Sequence, residues 1–290
     1  MSSPRIAIAT CASYDREMVD DELLAAALRE RGCEVISAAW DGPGVDWGGF
    51  DLCLVRSTWD YHDKHREFLA WARRVEATAG LQNPAELIAW NIDKTYLRGL
   101  AAAGLPIVPT VWVARDDEAD LDKVLAGEGW AEAVVKPTVD LGARNLRRAR
   151  VDEGSDALEL ALRRSPVAMV QPFLSALESA GELSLIYVDG DLTHAVRKRA
   201  APGDFRVQSI WGGTVEWVEP GDEAVRLGGQ ALAQLDEAPL YARVDLVHGP
   251  RGTLCLIELE LIEPNLYLTQ HPPAAAALAE AALLRVDVDA

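Results

Sequence analysis

The chain has 290 residues, of which 49% are hydrophobic and 26% charged, and its formal net charge at pH 7 is −18. This length predicts two or three subdomains with a sizeable core. The negative charge argues against non-specific binding to nucleic acid or to an anionic membrane. The four cysteines are scattered without CxxC spacing, so we expect buried free thiols in a reducing compartment. No run of 18 apolar residues and no signal-like N-terminus occurs, which predicts a cytoplasmic protein.

The first third of the chain predicts a small parallel sheet with helices on its faces. Strands are expected at residues 5–10, 34–39 and 51–55, and helices at 20–31 and 64–79. Ligands of such sheets bind beyond the carboxyl ends of the strands. The residues directly after the third strand could therefore hold a small zwitterion, with Arg56 facing a carboxylate and Asp60 an ammonium group. The candidate substrate residues are Arg56, Ser57, Thr58, Asp60 and Tyr61. The alternative is a loop whose aromatic side chains pack the domain edge.

A helix at 84–103, a strand at 110–114, an acidic helix at 115–130 and a strand at 131–136 are expected next. Lys136 ends an apolar strand before a proline, which is a poor place for a surface lysine and a good one for a phosphate-binding cation. The following loop contains Gly142, which permits a close approach of backbone N–H groups to phosphate. Neither GxxxxGK[ST] nor GxGxxG occurs in the chain, so the classical nucleotide motifs are absent.

The next segment predicts a helix at 155–164, a strand at 167–171, a hinge at 171–175 and a hairpin of strands at 182–188 and 192–199. The second hairpin strand ends in three cations, Arg197, Lys198 and Arg199. They are either an anion-binding group or a solvated basic patch. A short strand at 207–211, a helix at 222–235 and an alanine-rich helix within the tail 272–290 complete the expected elements.

A second hairpin, with strands at 242–247 and 253–261, carries acids inside apolar strands. Glu258 and Glu260 are two residues apart and therefore share a face, and Asp245 lies on the partner strand. Buried acids are costly unless they are paired or bind a cation, and several carboxylates suit Mg²⁺. A hairpin with one solvated face is the alternative.

From about residue 83 to residue 265 the sequence resembles the ATP-grasp superfamily of carboxylate–amine ligases. The resemblance rests on several motifs in order: the lysines at 94, 136 and 198, the glycine loop, the segment 171–174 and the acidic hairpin. It implies an α/β ATP-grasp fold with an N-terminal parallel-sheet domain. The implied division is a pre-ATP-grasp domain at 1–105, a small lobe at 106–172 and a large lobe at 173–290.

The resemblance also implies roles for single residues and the cofactors ATP and Mg²⁺. Lys198 would reach the γ-phosphate, and Arg206 would stabilise an acyl phosphate. Either Glu178 or Glu182 would bind the ribose. The other implied nucleotide residues are Lys94, Lys136, Gly142, Asn145, Gln171, Phe173 and Leu174, and the implied metal ligands are Asp245, Glu258 and Glu260. Glu260 stands where the family usually has asparagine, and the phosphate loop keeps a single glycine.

Four strings are most similar to the ATP-grasp branch that contains the O-ureido-serine cyclo-ligase of D-cycloserine biosynthesis. They are residues 56–61, 195–198, 203–206 and 258–264. This resemblance implies ATP-dependent activation of a small amino acid's carboxylate and attack by a nitrogen of the same molecule. The alternatives are an intermolecular ligase, a nucleotide-binding protein without ligase chemistry, and a sugar- or peptide-binding module without ATP affinity. The expected partner is a small amino-acid-like substrate, and a homodimer is possible.

Overall fold

The computed structural model describes residues 3–13, 18–151 and 156–286. Its N-terminal sheet is parallel, as predicted, with the spatial order β2-β1-β3-β4. The strands are β1 (Arg5–Thr10), β2 (Glu34–Ala39), β3 (Leu52–Ser57) and β4 (Gly80–Gln82). Every residue of β3 is buried, as expected for a parallel strand that is covered on both faces.

Helices cover both faces of this sheet because its strands alternate side chains between them. On one face Ile6 and Ile8 pack with Leu24 and Leu28 of α1 (Val19–Glu30). On the other face the aromatic residues of α2 (His65–Glu76), including Phe68 and Trp71, pack against alternate residues of β1 and β3.

The single helix predicted at 84–103 is wrong, because the chain forms two short helices, α3 (Ala85–Asn91) and α4 (Tyr96–Ala102). The physical reason lies in the polar residues between and beside them. The Asn91 amide donates to the carbonyl of Leu259 and accepts from the N–H of Leu261. The Lys94 N–H donates to the carbonyl of Thr138 over 2.9 Å instead of continuing a helix. The break therefore delivers Lys94 to the neighbouring sheet.

The second sheet is antiparallel, with the order β5-β8-β6-β7. Two helices bury apolar side chains against it. Its strands are β5 (Val111–Ala114), β6 (Glu132–Pro137), β7 (Arg147–Arg150) and β8 (Val167–Pro172), and its helices are α5 (Leu121–Glu128) and α6 (Ala157–Arg164). The start predicted for α6 at residue 155 lies outside the described residues.

The continuous helix predicted at 115–130 is wrong. Residues Arg115–Asp117 form a 3₁₀ turn, and Glu118 is left-handed with φ of 46°. The α-helix begins after Asp120, whose carboxylate accepts the N–H groups of Asp122 and Lys123. An aspartate that caps a helix in this way fixes its first residue.

The third sheet is also antiparallel, with the order β11-β10-β9-β12-β13. It contains both predicted hairpins, and three helices accompany it in the sequence. The strands are β9 (Glu182–Val188), β10 (Asp191–Arg199), β11 (Thr214–Val218), β12 (Tyr241–His248) and β13 (Leu254–Glu260), and the helices are α7 (Ala176–Ala180), α8 (Asp222–Leu232) and α9 (Pro273–Val286).

The strand predicted at 207–211 is wrong, since Ser209–Trp211 is a 3₁₀ turn. The Trp211 indole N–H donates to the carbonyl of Gly142 over 3.0 Å, so this segment reaches across to another loop instead of joining the sheet. The strand that does pair with β10 is β11, which begins at Thr214.

Buried contacts join the N-terminal and third sheets. Leu278 of α9 shares a core cluster with Leu24 of α1 and Ile186 of β9. The Asn83 amide donates to the carbonyls of Tyr241 and Leu261. All four cysteines are free and buried, as expected. Among the described residues, no helix is long and apolar enough to cross a membrane. The last four residues of the tail lie outside the described part.

Candidate active site

One cavity lies between the second and third sheets and takes side chains from both. Lys136 and Gln171 come from the second sheet, and Lys198 and Asp245 come from the third. Lys94, from the break between α3 and α4, lines the same cavity. Residues more than a hundred positions apart in the sequence therefore meet around one space.

The three predicted metal ligands converge on this cavity. Asp245 of β12 is directly opposite Glu258 of β13 in the strand register. One carboxylate oxygen from each of Asp245, Glu258 and Glu260 lies within 4.8 Å of the others. Hard oxygen donors in this arrangement fit Mg²⁺, which prefers a few carboxylates and keeps positions open for other oxygen ligands.

Arg243 neutralises part of this acidic group, and it was not among the residues predicted from the sequence. Its guanidinium lies 2.9 Å from Asp245 and also contacts Glu260. Burial by itself would raise the pKa of Asp245, but Arg243 and Lys198 outweigh it and hold that pKa below its usual range. Arg243 stands two positions before Asp245 on the same strand, so the period of two could have placed it on the acidic face.

Lys198 is buried between two carboxylates. Its ammonium group contacts Glu182 and lies 3.2 Å from Asp245. Burial acts to lower the pKa of Lys198, but the two acids overcome it and raise the pKa. Glu182, one of the two candidates for the ribose, therefore has a lysine partner in this structure.

Lys94 and Lys136 have different electrostatic surroundings. The Lys94 ammonium donates to the carbonyl of Asp140 over 2.6 Å and lies 3.1 Å from Glu258. Burial opposes its charge, but Glu258 and Asp140 raise the pKa of Lys94. For Lys136, burial and the charge of Lys94 prevail over Glu258 and lower the pKa. A buried lysine with a lowered pKa gains most from an anionic ligand.

The glycine loop, residues 138–146, turns sharply at Gly142, whose φ of 64° favours glycine. Asn145 fixes the loop from within, because its backbone N–H and its side-chain amide both donate to the Asp140 carboxylate. Gly142 and Asn145 thus belong to one turn that borders the cavity.

The predicted nucleotide-base segment lines another part of the cavity, with Gln171, Phe173 and Leu174 among the lining residues. The Phe173 N–H donates to the carbonyl of Glu132, and the Gln171 amide donates to the Thr110 hydroxyl. These bonds hold the segment at the end of β8, where its side chains form an apolar surface.

Arg206 also lines the cavity. Its guanidinium is 2.7 Å from Asp204 and stacks on the Trp211 ring at 3.5 Å. A guanidinium held by a carboxylate and an aromatic face keeps its charge and a defined direction.

The candidate substrate loop after β3 lies largely behind the cavity wall. Arg56 is buried, 3.3 Å from Asp21, and donates to the carbonyl of Pro264. Asp60 contacts Lys64 at 3.0 Å and accepts from the Trp40 indole. Of residues 56–61, Trp59 lines the cavity. The roles predicted for Arg56, Ser57, Thr58, Asp60 and Tyr61 stay predictions.

Comparison with known proteins identifies the family. A family model described as the N-terminal domain of the D-cycloserine synthetase DcsG matches residues 6–83. The cycloserine biosynthesis protein DcsG of Streptomyces lavendulae is 31% identical over 268 residues, which are 88% of this chain and 90% of that protein.

Solved structures agree with this result. A crystal structure of D-cycloserine synthetase DcsG matches 98% of this chain and 100% of its own, with a TM-score of 0.86 and 29% identity. The ATP-grasp ligase PsnB, solved with a minimal precursor, Mg and ADP, is 18% identical with a TM-score of 0.64, covering 98% of this chain and 97% of its own, and shares the fold. The chain described here therefore belongs to the DcsG family of ATP-grasp ligases.

Proposed function

We propose that this chain uses Mg·ATP to activate the carboxylate of a small amino acid for attack by nitrogen. The specific reaction that we propose is the cyclisation of O-ureido-D-serine to D-cycloserine. The carrying observation is the convergence of Lys94, Lys136 and Lys198 with the carboxylates of the acidic hairpin around one cavity. The 31% identity of this chain to a cycloserine biosynthesis protein supports the specific reaction.

In this proposal the second sheet holds most of the nucleotide. Lys94 and Lys136 pair with phosphate oxygens, and the turn at Gly142 offers the backbone N–H groups at its start to them, since the N–H of Asn145 is bonded to Asp140. The segment from Gln171 to Leu174 receives the base. Asp245, Glu258 and Glu260 would hold Mg²⁺, which supplies charge neutralisation at the phosphates when it is bound.

The proposed chemistry begins with phosphoryl transfer: a carboxylate oxygen of the substrate attacks the γ-phosphorus of ATP, ADP leaves, and an acyl phosphate forms. The oxygen-bound nitrogen of the ureido group then attacks the acyl carbon, inorganic phosphate leaves with the C–O bond electrons, and the nitrogen loses a proton. Water finally hydrolyses the bond between this ring nitrogen and its carbamoyl group, which leaves as carbamate and decomposes to CO2 and ammonia. Lys198 and Arg206 stabilise the negative charge that develops on the transferred phosphoryl and acyl oxygens.

We also propose that the chain is organised as a pre-ATP-grasp domain at 1–105, a small lobe at 106–172 and a large lobe at 173–290. The three sheets support this division, since each one is built from strands within one of the three ranges. The cavity is then the cleft between the two lobes, with Lys94 entering it from the first domain.

The test is phosphate release from Mg·ATP with O-ureido-D-serine, its L-isomer, and single or paired amino acids. Release with O-ureido-D-serine alone and a cyclic product by mass spectrometry supports the proposal. Release that requires pairs indicates an intermolecular ligase instead. ATP binding without stimulated release with any of these compounds would leave a nucleotide-binding protein, and no ATP affinity would refute the assignment altogether.

A second test of the proposed nucleotide site is the activity of the Lys136→Ala variant, with Lys123→Ala as the control. The Lys123 side chain is 84% exposed and its ion pair is with Asp120, one turn away on the helix surface. We expect Lys136→Ala to lower kcat/KM by at least about 100-fold, as removal of one stabilising donor from an active site does. Lys123→Ala should retain wild-type activity. A Lys136→Ala variant with wild-type ATP affinity and turnover contradicts the role of this lysine.

A further inference from the structure

We infer that Glu263 binds the α-ammonium group of the substrate and so restricts the enzyme to amino acids. This inference rests on the proposed function and names a residue and a recognition chemistry within the same cavity. Glu263 is 3% exposed and lines the cavity. It follows β13 by three residues, next to the predicted metal ligands.

The other glutamates of the cavity already have cationic partners. Glu182 contacts Lys198, Glu258 lies 3.1 Å from Lys94, and Glu260 contacts Arg243. Within residues 3–13, 18–151 and 156–286, no lysine, arginine or histidine nitrogen lies within 4.0 Å of the Glu263 carboxylate. Glu263 is therefore the glutamate in this wall without a cation at ion-pair distance, and Lys94 and Arg243 act on it only from farther away.

The surroundings of Glu263 hold it in place without an ion pair. The Tyr61 hydroxyl is its hydrogen-bond partner. The Trp59 indole N–H donates to the Glu263 backbone carbonyl over 3.3 Å, and Arg56 donates to the next carbonyl, that of Pro264, over 2.9 Å. The loop after β3 thus acts as a support for this carboxylate.

A buried carboxylate without a cation is unfavourable, and a ligand that brings a cation relieves the cost. Consistent with this, burial and the neighbouring Glu260 raise the pKa of Glu263 well above its usual range. The cavity also contains Arg206 and Lys136, which suit phosphate and carboxylate groups. An α-amino acid carries the complementary pair of charges, a carboxylate for the cations and an ammonium group for Glu263.

Asp60, the residue predicted to face the ammonium group, is a weaker candidate for binding it than Glu263. One of its oxygens lies 3.0 Å from Lys64 and the other accepts from the Trp40 indole over 2.8 Å. Binding a substrate cation there would mean competing with an existing lysine. The contrast between the two acids makes the inference testable by direct comparison.

The experiment compares O-ureido-D-serine with its analogue in which hydrogen replaces the α-amino group, using full-length wild type, Glu263→Gln and Asp60→Asn. Phosphate release gives kcat and KM for each compound, and binding of a non-hydrolysable ATP analogue reports the integrity of the nucleotide site. We expect wild type to prefer the amino acid by about 10- to 100-fold in kcat/KM, the range for a hydrogen-bonded charge. Glu263→Gln should remove most of this preference, mainly through KM, while nucleotide affinity stays within about twofold.

Other results would overturn the inference and leave the proposed function intact. These are an unchanged preference in Glu263→Gln, a preference that disappears in Asp60→Asn instead, or a wild type that uses both compounds equally well. A wild type that binds no ATP refutes the proposed function and the inference with it. If Glu263→Gln loses nucleotide binding, the same kinetics are measured for Glu263→Asp. A Glu263→Asp variant that still prefers the amino acid over its analogue but has a raised KM for the amino acid supports the inference. A Glu263→Asp variant with wild-type kcat and KM overturns it.

Discussion

Asn91 is predicted to hold the acidic strand β13 in the position that its chemistry requires. Its buried side chain donates to the carbonyl of Leu259 over 2.8 Å and accepts from the N–H of Leu261 over 2.9 Å. These two backbone groups flank Glu260. In Asn91→Ala the Leu259 carbonyl keeps the Tyr96 hydroxyl, 2.9 Å away, whereas the Leu261 N–H loses its Asn91 acceptor.

The cost follows from this difference. A lost hydrogen bond whose carbonyl keeps another partner costs about 0.5–1.5 kcal/mol, and an unsatisfied buried N–H costs about 1–3 kcal/mol. We therefore expect Asn91→Ala to lower the free energy of unfolding by about 2–4 kcal/mol. The Mg²⁺ concentration for half-maximal phosphate release should rise about 10-fold or more, as when an outer support of a metal ligand is removed.

Urea denaturation measures the first effect and Mg²⁺ titration of phosphate release the second. Asn91→Asp is the matched control, because its carboxylate still accepts from the Leu261 N–H but cannot donate to the Leu259 carbonyl. Loss of stability below about 0.5 kcal/mol in Asn91→Ala, together with an unchanged Mg²⁺ requirement, would show that β13 is held by its strand pairing alone.

Two further predictions concern Trp211 and His194. Trp211→Phe removes the indole donor to Gly142 but keeps an aromatic ring for Arg206, so the KM for ATP should rise about 2- to 10-fold with little change in kcat. Trp211→Ala, which also removes the ring that stacks on Arg206, should lower kcat as well. Equal kcat and KM values in the two variants would refute separate roles for the indole N–H and the aromatic ring. Burial and His271 lower the pKa of His194 to about 4, so its contribution to stability is complete above its unfolded pKa and is lost as pH falls from about 6.5 to 4. Urea midpoints should show wild type losing about 2–3 kcal/mol more than His194→Gln over that interval, and parallel pH profiles would exclude the effect.

The site residues that could be predicted from the sequence are charged side chains at positions of a strand where an apolar residue is expected. Asp245, Glu258 and Glu260 interrupt apolar strands, and Lys136 ends one, so the period of two was enough to group the acids on one face. The parallel N-terminal sheet followed from the order of its strands and helices, and the two hairpins of the third sheet followed from alternation and turn residues. The helix break before Lys94 could not be predicted, because it depends on bonds from Asn91 to residues far along the chain.

Glu263 was missed for a related reason. It lies beyond the end of β13, so the alternation of side chains along a strand does not predict which face it occupies. Its role also depends on which of the neighbouring acids form ion pairs. That information is contained in side-chain pairing across the sheet, as with Arg243 and Glu260. The zwitterion site predicted at Arg56 and Asp60 stays a prediction. In the structure, Arg56 and Trp59 of this loop donate to backbone carbonyls of the segment that follows β13.

The shape of the acidic site depends on an irregularity in the hairpin. Strict alternation would send Ile257 and Glu258 to opposite faces of the sheet, yet both line the cavity. The register between β12 and β13 shifts after Asp245, since Asp245 pairs with Glu258 but Leu246 pairs with Leu256. This shift leaves Ile257 without an opposite residue, the arrangement of a β-bulge, which redirects side chains next to functional sites. One extra residue therefore lets the same strand supply apolar contact at Ile257 and carboxylates at Glu258 and Glu260, side by side on one wall.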